Sequence, residues 1–75
     1  MLEKKIFSDR LKKLRLEHNL SQEALGEVIG LTKAAVSMLE TGQRAASIDV
    51  FIALADYFDV SLDYLVGRSD DPVRR

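Results

Sequence analysis

Lys33, Ala34, Ser37 and Met38 recur at helical spacing, and they are what remains facing outward once Val36 and Leu39 are turned inward. Lys33 brings three hydrogen-bond donors, Ser37 a hydroxyl that donates and accepts, and Ala34 and Met38 apolar surface. That mixture suits reading a patterned surface better than breaking a bond. Lys33 can donate to guanine O6 and N7 or hold a phosphate, Ser37 can bond to several bases, and Ala34 and Met38 can pack on thymine methyls. The ordinary alternative is an exposed helix face in which Lys33 serves only solubility.

Bond-making chemistry finds little support. His18 is the only histidine and there is no cysteine, so a metal site lacks ligands. No G-x-S-x-G, P-loop or dinucleotide fingerprint occurs. The aspartates at 49, 56, 59 and 63 fall near predicted helix ends or exposed faces, where capping is the commoner role. The chain is therefore expected to be no enzyme, with no metal, no cofactor and no small-molecule ligand.

The elements that must position these side chains lie in residues 21–42, S-Q-E-A-L-G-E-V-I-G-L-T-K-A-A-V-S-M-L-E-T-G. Ser21 is an N-cap for a helix over Gln22–Ile29, with Leu25 and Ile29 on its inner face. Gly30 supplies backbone freedom for a sharp turn. Thr32 caps a second helix to Glu40 or Thr41, with Val36 and Leu39 inward and Gly42 placed to end it. Ala24, Gly26 and Ala35 are small where the two helices must approach. Two short helices joined by a tight glycine-containing turn make a helix-turn-helix, whose second helix suits the DNA major groove.

This stretch resembles the phage-repressor and Cro-like (XRE-type) family. The likeness rests on L-S-Q-E-A-L, on Gly26 and Gly30, on Leu25, Ile29, Leu31, Val36 and Leu39, and on E-T-G. With R-L-K-K-L-R upstream and V-S-L-D-Y-L-V-G downstream, it covers roughly residues 6–67. The resemblance implies base contacts from Lys33, Ala34, Ser37 and Met38, although many relatives carry a basic or polar residue where Met38 stands. It also implies phosphate contacts from Gln22, Thr32 and Arg44, with Lys4, Lys5 and Arg10 as weaker additions. Gln22 stands at a helix start, where free N–H groups favour an anion. Thr32 is explained equally well as a cap alone, and Arg44 as a solvated loop charge. A pair between Arg15 and Glu40 is implied as a structural brace for the second helix of the motif.

Around the motif, Phe7, Leu11 and Leu14 predict a first helix over Phe7–His18, ended by Asn19 in a left-handed conformation. Residues 1–5 are expected to form a frayed arm. Ser47 caps a helix over Ile48–Phe58, and Ser61 a short one to Leu65 followed by Gly67. The fold class is all-α, a five-helix bundle of lambda-repressor-like type. One domain over residues 1–67 is expected, with a loose polar tail over 68–75.

Composition limits the setting. An apolar fraction of 47% in 75 residues argues for one small helical core and against disorder. The longest apolar run, Val50–Ala55, is far below the roughly 20 residues that span a bilayer, and the N-terminus carries no signal-peptide pattern. A cytoplasmic protein with no membrane partner is the expectation. Net charge is −1, low for a nucleic-acid binder, but it is unevenly spread: +3 over residues 1–20, −1 over 21–45 and −3 over 46–75. Such a dipole can orient the molecule on a polyanion.

The partner predicted by these observations is double-stranded DNA, bound by a homodimer on a near-palindromic operator, as a transcriptional repressor would bind. Val60, Leu62, Tyr64, Leu65 and Val66 are the candidate dimer patch, with closure of the monomer core as the equal alternative. Two rival functions stand beside this one. One is an antitoxin-like autorepressor whose acidic half holds a toxin; the other is a protein-interaction module that has lost DNA affinity.

Overall fold

The computed structural model describes residues 4–74. They form α1 (Lys4–Glu17), α2 (Gln22–Ile29), α3 (Lys33–Glu40), α4 (Ile48–Phe58) and α5 (Leu62–Leu65). Each of the last four helices starts at a hydroxyl. Ser21, Thr32, Ser47 and Ser61 have extended backbones, and their side-chain oxygens accept the N–H groups of Ala24, Ala35, Val50 and Tyr64 at 3.0–3.3 Å. Each thereby satisfies one of the donors that a helix start leaves orphaned. Asn19 (φ 56°) ends the first turnaround and Asp59 (φ 54°) closes α4, both left-handed. Asn and Asp tolerate that region better than other residues with side chains.

α1 begins at Lys4 rather than at Phe7, so Lys4 and Lys5 of the expected arm are helical. Lys5 pairs with Asp9 one turn later, which supports the added turn. The rest of that arm, residues 1–3, lies outside the described residues.

The core is built from one side of every helix. Leu11, Leu25, Val36, Leu39, Leu54 and Leu65 are its fully enclosed members. Phe7 of α1 meets Phe51 of α4 edge to face, with ring centroids 4.8 Å apart, which joins the first and fourth helices. Of the candidate dimer patch, Val60, Tyr64 and Leu65 are buried in this core and Val66 is half-buried against it. Only Leu62 stays open, at 39% exposure. For those residues the monomer core is the destination, because α5 is too short to close the bundle unless most of its apolar side chains turn inward.

Residues 68–74 are bonded to the body, contrary to the loose tail expected. The Arg10 guanidinium lies over the Tyr64 ring, 4.1 Å from its centroid. It donates to the carbonyls of Tyr64 and Ser69 and to the Asp70 carboxylate, the last two at 2.7 Å. Arg10 is thus committed to α5 and the tail, which removes it from the phosphate candidates. Further along, the Ser61 N–H donates to the Pro72 carbonyl at 3.1 Å, and Arg74 pairs with Asp56 and Asp59. Removing the Arg10 donors with Arg10→Ala should loosen the tail around Ser69 and Asp70, while the Ser61–Pro72 and Arg74 contacts remain. Tryptic cleavage after Arg68 is then expected to accelerate about tenfold, as loss of charge-assisted bonds worth on the order of 1.5–3 kcal/mol would allow. An unchanged cleavage rate would mean that the tail is held elsewhere. Among the described residues, no helix is long and apolar enough to cross a membrane.

Candidate nucleic-acid interface

α2 and α3 meet across a turn of three residues, Gly30, Leu31 and the cap Thr32. The Leu31 N–H donates to the Gly26 carbonyl at 2.8 Å, and the N–H of left-handed Gly30 (φ 75°) also returns to it. This double closure folds the chain sharply after α2, and the Thr32 cap starts α3 at once. Ala35, Val36 and Leu39 turn into the core, and that burial fixes which face of α3 remains outside.

The outside face carries the four residues named from the sequence. Lys33 and Ala34 are exposed, Ser37 is half-buried, and Met38 is 39% exposed. They lie on one helix and are brought together. Thr32 is exposed and its hydroxyl accepts from the Ala35 N–H at 3.1 Å. Arg44 stands exposed in the loop between α3 and α4. Among the described residues neither Lys33 nor Arg44 has a carboxylate partner, so both charges are available to a polyanion.

Behind this face lies a buried polar network. Arg15 of α1 donates from Nε to Glu40 Oε2 at 2.6 Å and from Nη2 to Glu40 Oε1 at 3.0 Å. Its Nη1 donates to the Leu20 carbonyl at 2.8 Å. The side chains are only 10% and 4% exposed. The hydrogen bond to Glu40 raises the Arg15 pKa above its ordinary value, outweighing the opposing effect of burial. Arg15 therefore stays charged throughout the pH range of a folded protein.

Gln22 joins the same group. Its Nε2 donates to Glu40 Oε1 at 3.2 Å, while the residue itself is half-buried at the start of α2. The amide nitrogen keeps a second hydrogen, so a Gln22 held by Glu40 can still donate outward. Sequence reasoning treated Gln22 and the Arg15–Glu40 pair as separate features. Only the approach of the α2 start to the α3 end shows that they share one carboxylate.

A further residue was missed altogether. Ser8, buried on α1, donates from Oγ to the Leu39 carbonyl at 2.7 Å. Its spacing to Leu11 and Arg15, three and seven residues on, places it on the inner face and was the available signal. His18 takes no part: its ring packs edge to face on Phe58, with centroids 4.8 Å apart, and its Nδ1 lies 2.9 Å from the Leu14 carbonyl. Among the described residues no group of three or more His, Cys, Asp or Glu is placed to hold a metal ion.

Two short helices joined by a tight glycine turn, the second with its outer face open, are the arrangement of the helix-turn-helix class of DNA-binding domain. Comparison with known proteins agrees. The family model described as helix-turn-helix matches residues 11–65. YobD of Bacillus subtilis, an uncharacterized HTH-type transcriptional regulator, is 37% identical over 67 residues, covering 89% of this chain and 60% of YobD. The P22 c2 repressor, solved in complex with a synthetic operator, superposes with a TM-score of 0.79 at 25% identity, over 85% of this chain and 97% of that one. The restriction-modification controller protein C.AhdI of Aeromonas hydrophila gives a TM-score of 0.74 at 35% identity, over 83% and 94% of the two chains. The chain belongs to the helix-turn-helix family, of the phage-repressor and Cro-like (XRE) type. These relatives are named as regulators, repressors and controllers rather than as enzymes.

Proposed function

We propose that this chain is a sequence-specific DNA-binding regulator of transcription, a repressor acting as a two-fold dimer on a near-palindromic operator. The observation that carries the reading is the open face of α3, with Lys33, Ala34, Ser37 and Met38 outward while Arg15, Glu40 and Ser8 hold the helix from behind. α3 enters the major groove, where Lys33 reaches guanine and Ala34 and Met38 cover thymine methyls. Gln22, Thr32 and Arg44 hold phosphates on either side. One such helix reads too few base pairs for useful discrimination, so two copies read half-sites about one helical turn, roughly 34 Å, apart. The domain doing this spans residues 1–67, and the compartment is the cytoplasm.

Selection of bound duplexes from a randomised pool at moderate salt tests the reading, with Lys33→Ala run in parallel. A two-fold motif is expected, and Lys33→Ala should relax the same position in each half-site by about 1–3 kcal/mol per contact. A uniform loss over all sequences, with the salt slope reduced by about one, would assign Lys33 to a phosphate and leave base reading to its neighbours. Recovery of no enriched sequence, with binding lost as salt nears physiological strength, would sink the proposal.

A further inference from the structure

Among the described residues Ser8 and Arg15 are the polar residues buried as a whole, and both belong to α1. They stand seven residues apart, two helical turns, and so share a face. They reach consecutive residues at the end of α3. Ser8 Oγ donates to the Leu39 carbonyl at 2.7 Å, against 3.4 Å for the backbone N–H of Gly42. Arg15 takes the Glu40 carboxylate. Ser8 thus gives a strong external donor to one of the carbonyls that a helix end leaves without an intrahelical partner.

We propose that Ser8 is a positioning residue for base recognition, fixing the roll of α3 about its own axis. The inference rests on the reading of α3 as the base-contacting helix. Burial of Ala35, Val36 and Leu39 sets which face of α3 is outward, and the Glu40 carboxylate ties its end. The Ser8 bond adds a second tie one residue away, about 100° further around the axis, and narrows the small roll that packing still allows. Side-chain tips stand roughly 5–6 Å from a helix axis, so a roll of about 10° displaces them by about 1 Å. That displacement takes a donor from about 2.9 Å to beyond hydrogen-bonding distance, and recognition groups need placement within about 0.5 Å. Ser8 is 5% exposed and Leu39 1%, so the Leu39 carbonyl has little access to bulk water when the hydroxyl is removed.

The experiment compares Ser8→Ala, Ser8→Cys, Lys33→Ala and Val66→Ala with the unaltered chain. Val66 is half-buried at the end of α5, away from α3, and controls for lost stability. For each variant the melting temperature is measured, together with the ratio of dissociation constants for a scrambled and a selected duplex at one salt concentration. Ser8→Ala should lower that ratio about three- to tenfold, the effect of one net hydrogen bond, while scrambled binding changes less than about twofold. Ser8→Cys keeps the volume but donates weakly and should fall between. Val66→Ala should lower the melting temperature and keep the ratio.

A Ser8→Ala ratio within about twofold of the unaltered chain, with Lys33→Ala still defective, would overturn the positioning role and leave the proposed function standing. If Ser8→Ala does not fold at the assay temperature, the Ser8→Cys ratio decides in the same way. Absence of any duplex preference in the unaltered chain, with Lys33→Ala inert, would overturn both.

Discussion

Glu40→Ala should destabilise the domain by about 3–5 kcal/mol, the cost of leaving one partner of a buried ion pair alone. A domain of this length has roughly 4–11 kcal/mol in total, so the variant sits near the edge of folding. The melting temperature should drop on the order of 20 °C. The cause is the charge left behind. Arg15 is buried, its Nε and Nη2 donors are spent on Glu40, and its Nη1 bond to Leu20 holds it inside when the carboxylate is gone. Gln22 loses its acceptor at the same time.

Two companion variants separate charge from shape. Glu40→Gln keeps the volume and one acceptor but leaves Arg15 uncompensated, so it should fall between the unaltered chain and Glu40→Ala. The double variant Arg15→Met with Glu40→Leu removes both charges, and apolar replacement of a buried pair often restores stability. Thermal unfolding of the four proteins measures this directly. A loss below about 1 kcal/mol for Glu40→Ala would show that the pair behaves as an exposed one.

Gly26→Ala is expected to lose about 1–3 kcal/mol of stability, and operator affinity by tenfold or more. Helix propensity alone would favour alanine in the middle of α2 by about 1 kcal/mol. Space decides otherwise. A Cβ built on Gly26 would lie 2.4 Å from the Leu31 carbonyl oxygen, a backbone atom that cannot rotate aside. The turn would have to open by roughly 1 Å to restore ordinary contact, straining the bond from Leu31 N–H to the Gly26 carbonyl. α3 starts at the very next residues, so the opening displaces its outer face. At Gly30 a Cβ would meet nothing within 4 Å, and alanine there costs only the strain of its positive φ, about 1–2 kcal/mol. Paired melting and duplex titration of Gly26→Ala provide the check. Full operator affinity in a destabilised but folded Gly26→Ala would mean that α3 is not the reading helix.

Local signals made most of the fold legible. The four hydroxyl caps, the glycine turn and the apolar spacings of α2, α3 and α4 act between residues three or four apart. Such contacts are present in the sequence as directly as in the folded chain. Assigning Val36 and Leu39 inward followed from the same periodicity, and Lys33, Ala34, Ser37 and Met38 were left outside by subtraction. The Arg15–Glu40 pairing was different. It was expected only by family resemblance, since nothing local couples residues 25 positions apart.

Local pattern thus determined where α2, α3, α4 and α5 start, which face of each helix is apolar, and which side chains α3 presents. Tertiary structure alone decided what further contacts hold α3 and the C-terminal segment in place. Ser8 reaches Leu39 across 31 residues, Arg10 reaches Tyr64 and Ser69 across 54 and 59, and Gln22 shares the Glu40 carboxylate across 18. Each contact depends on the angle and distance at which two helices pack, a property of the whole core. The same holds for Val60, Tyr64 and Leu65: their apolar character fits either a dimer face or a monomer core, and only the packing of α5 on α1 and α4 puts them inside.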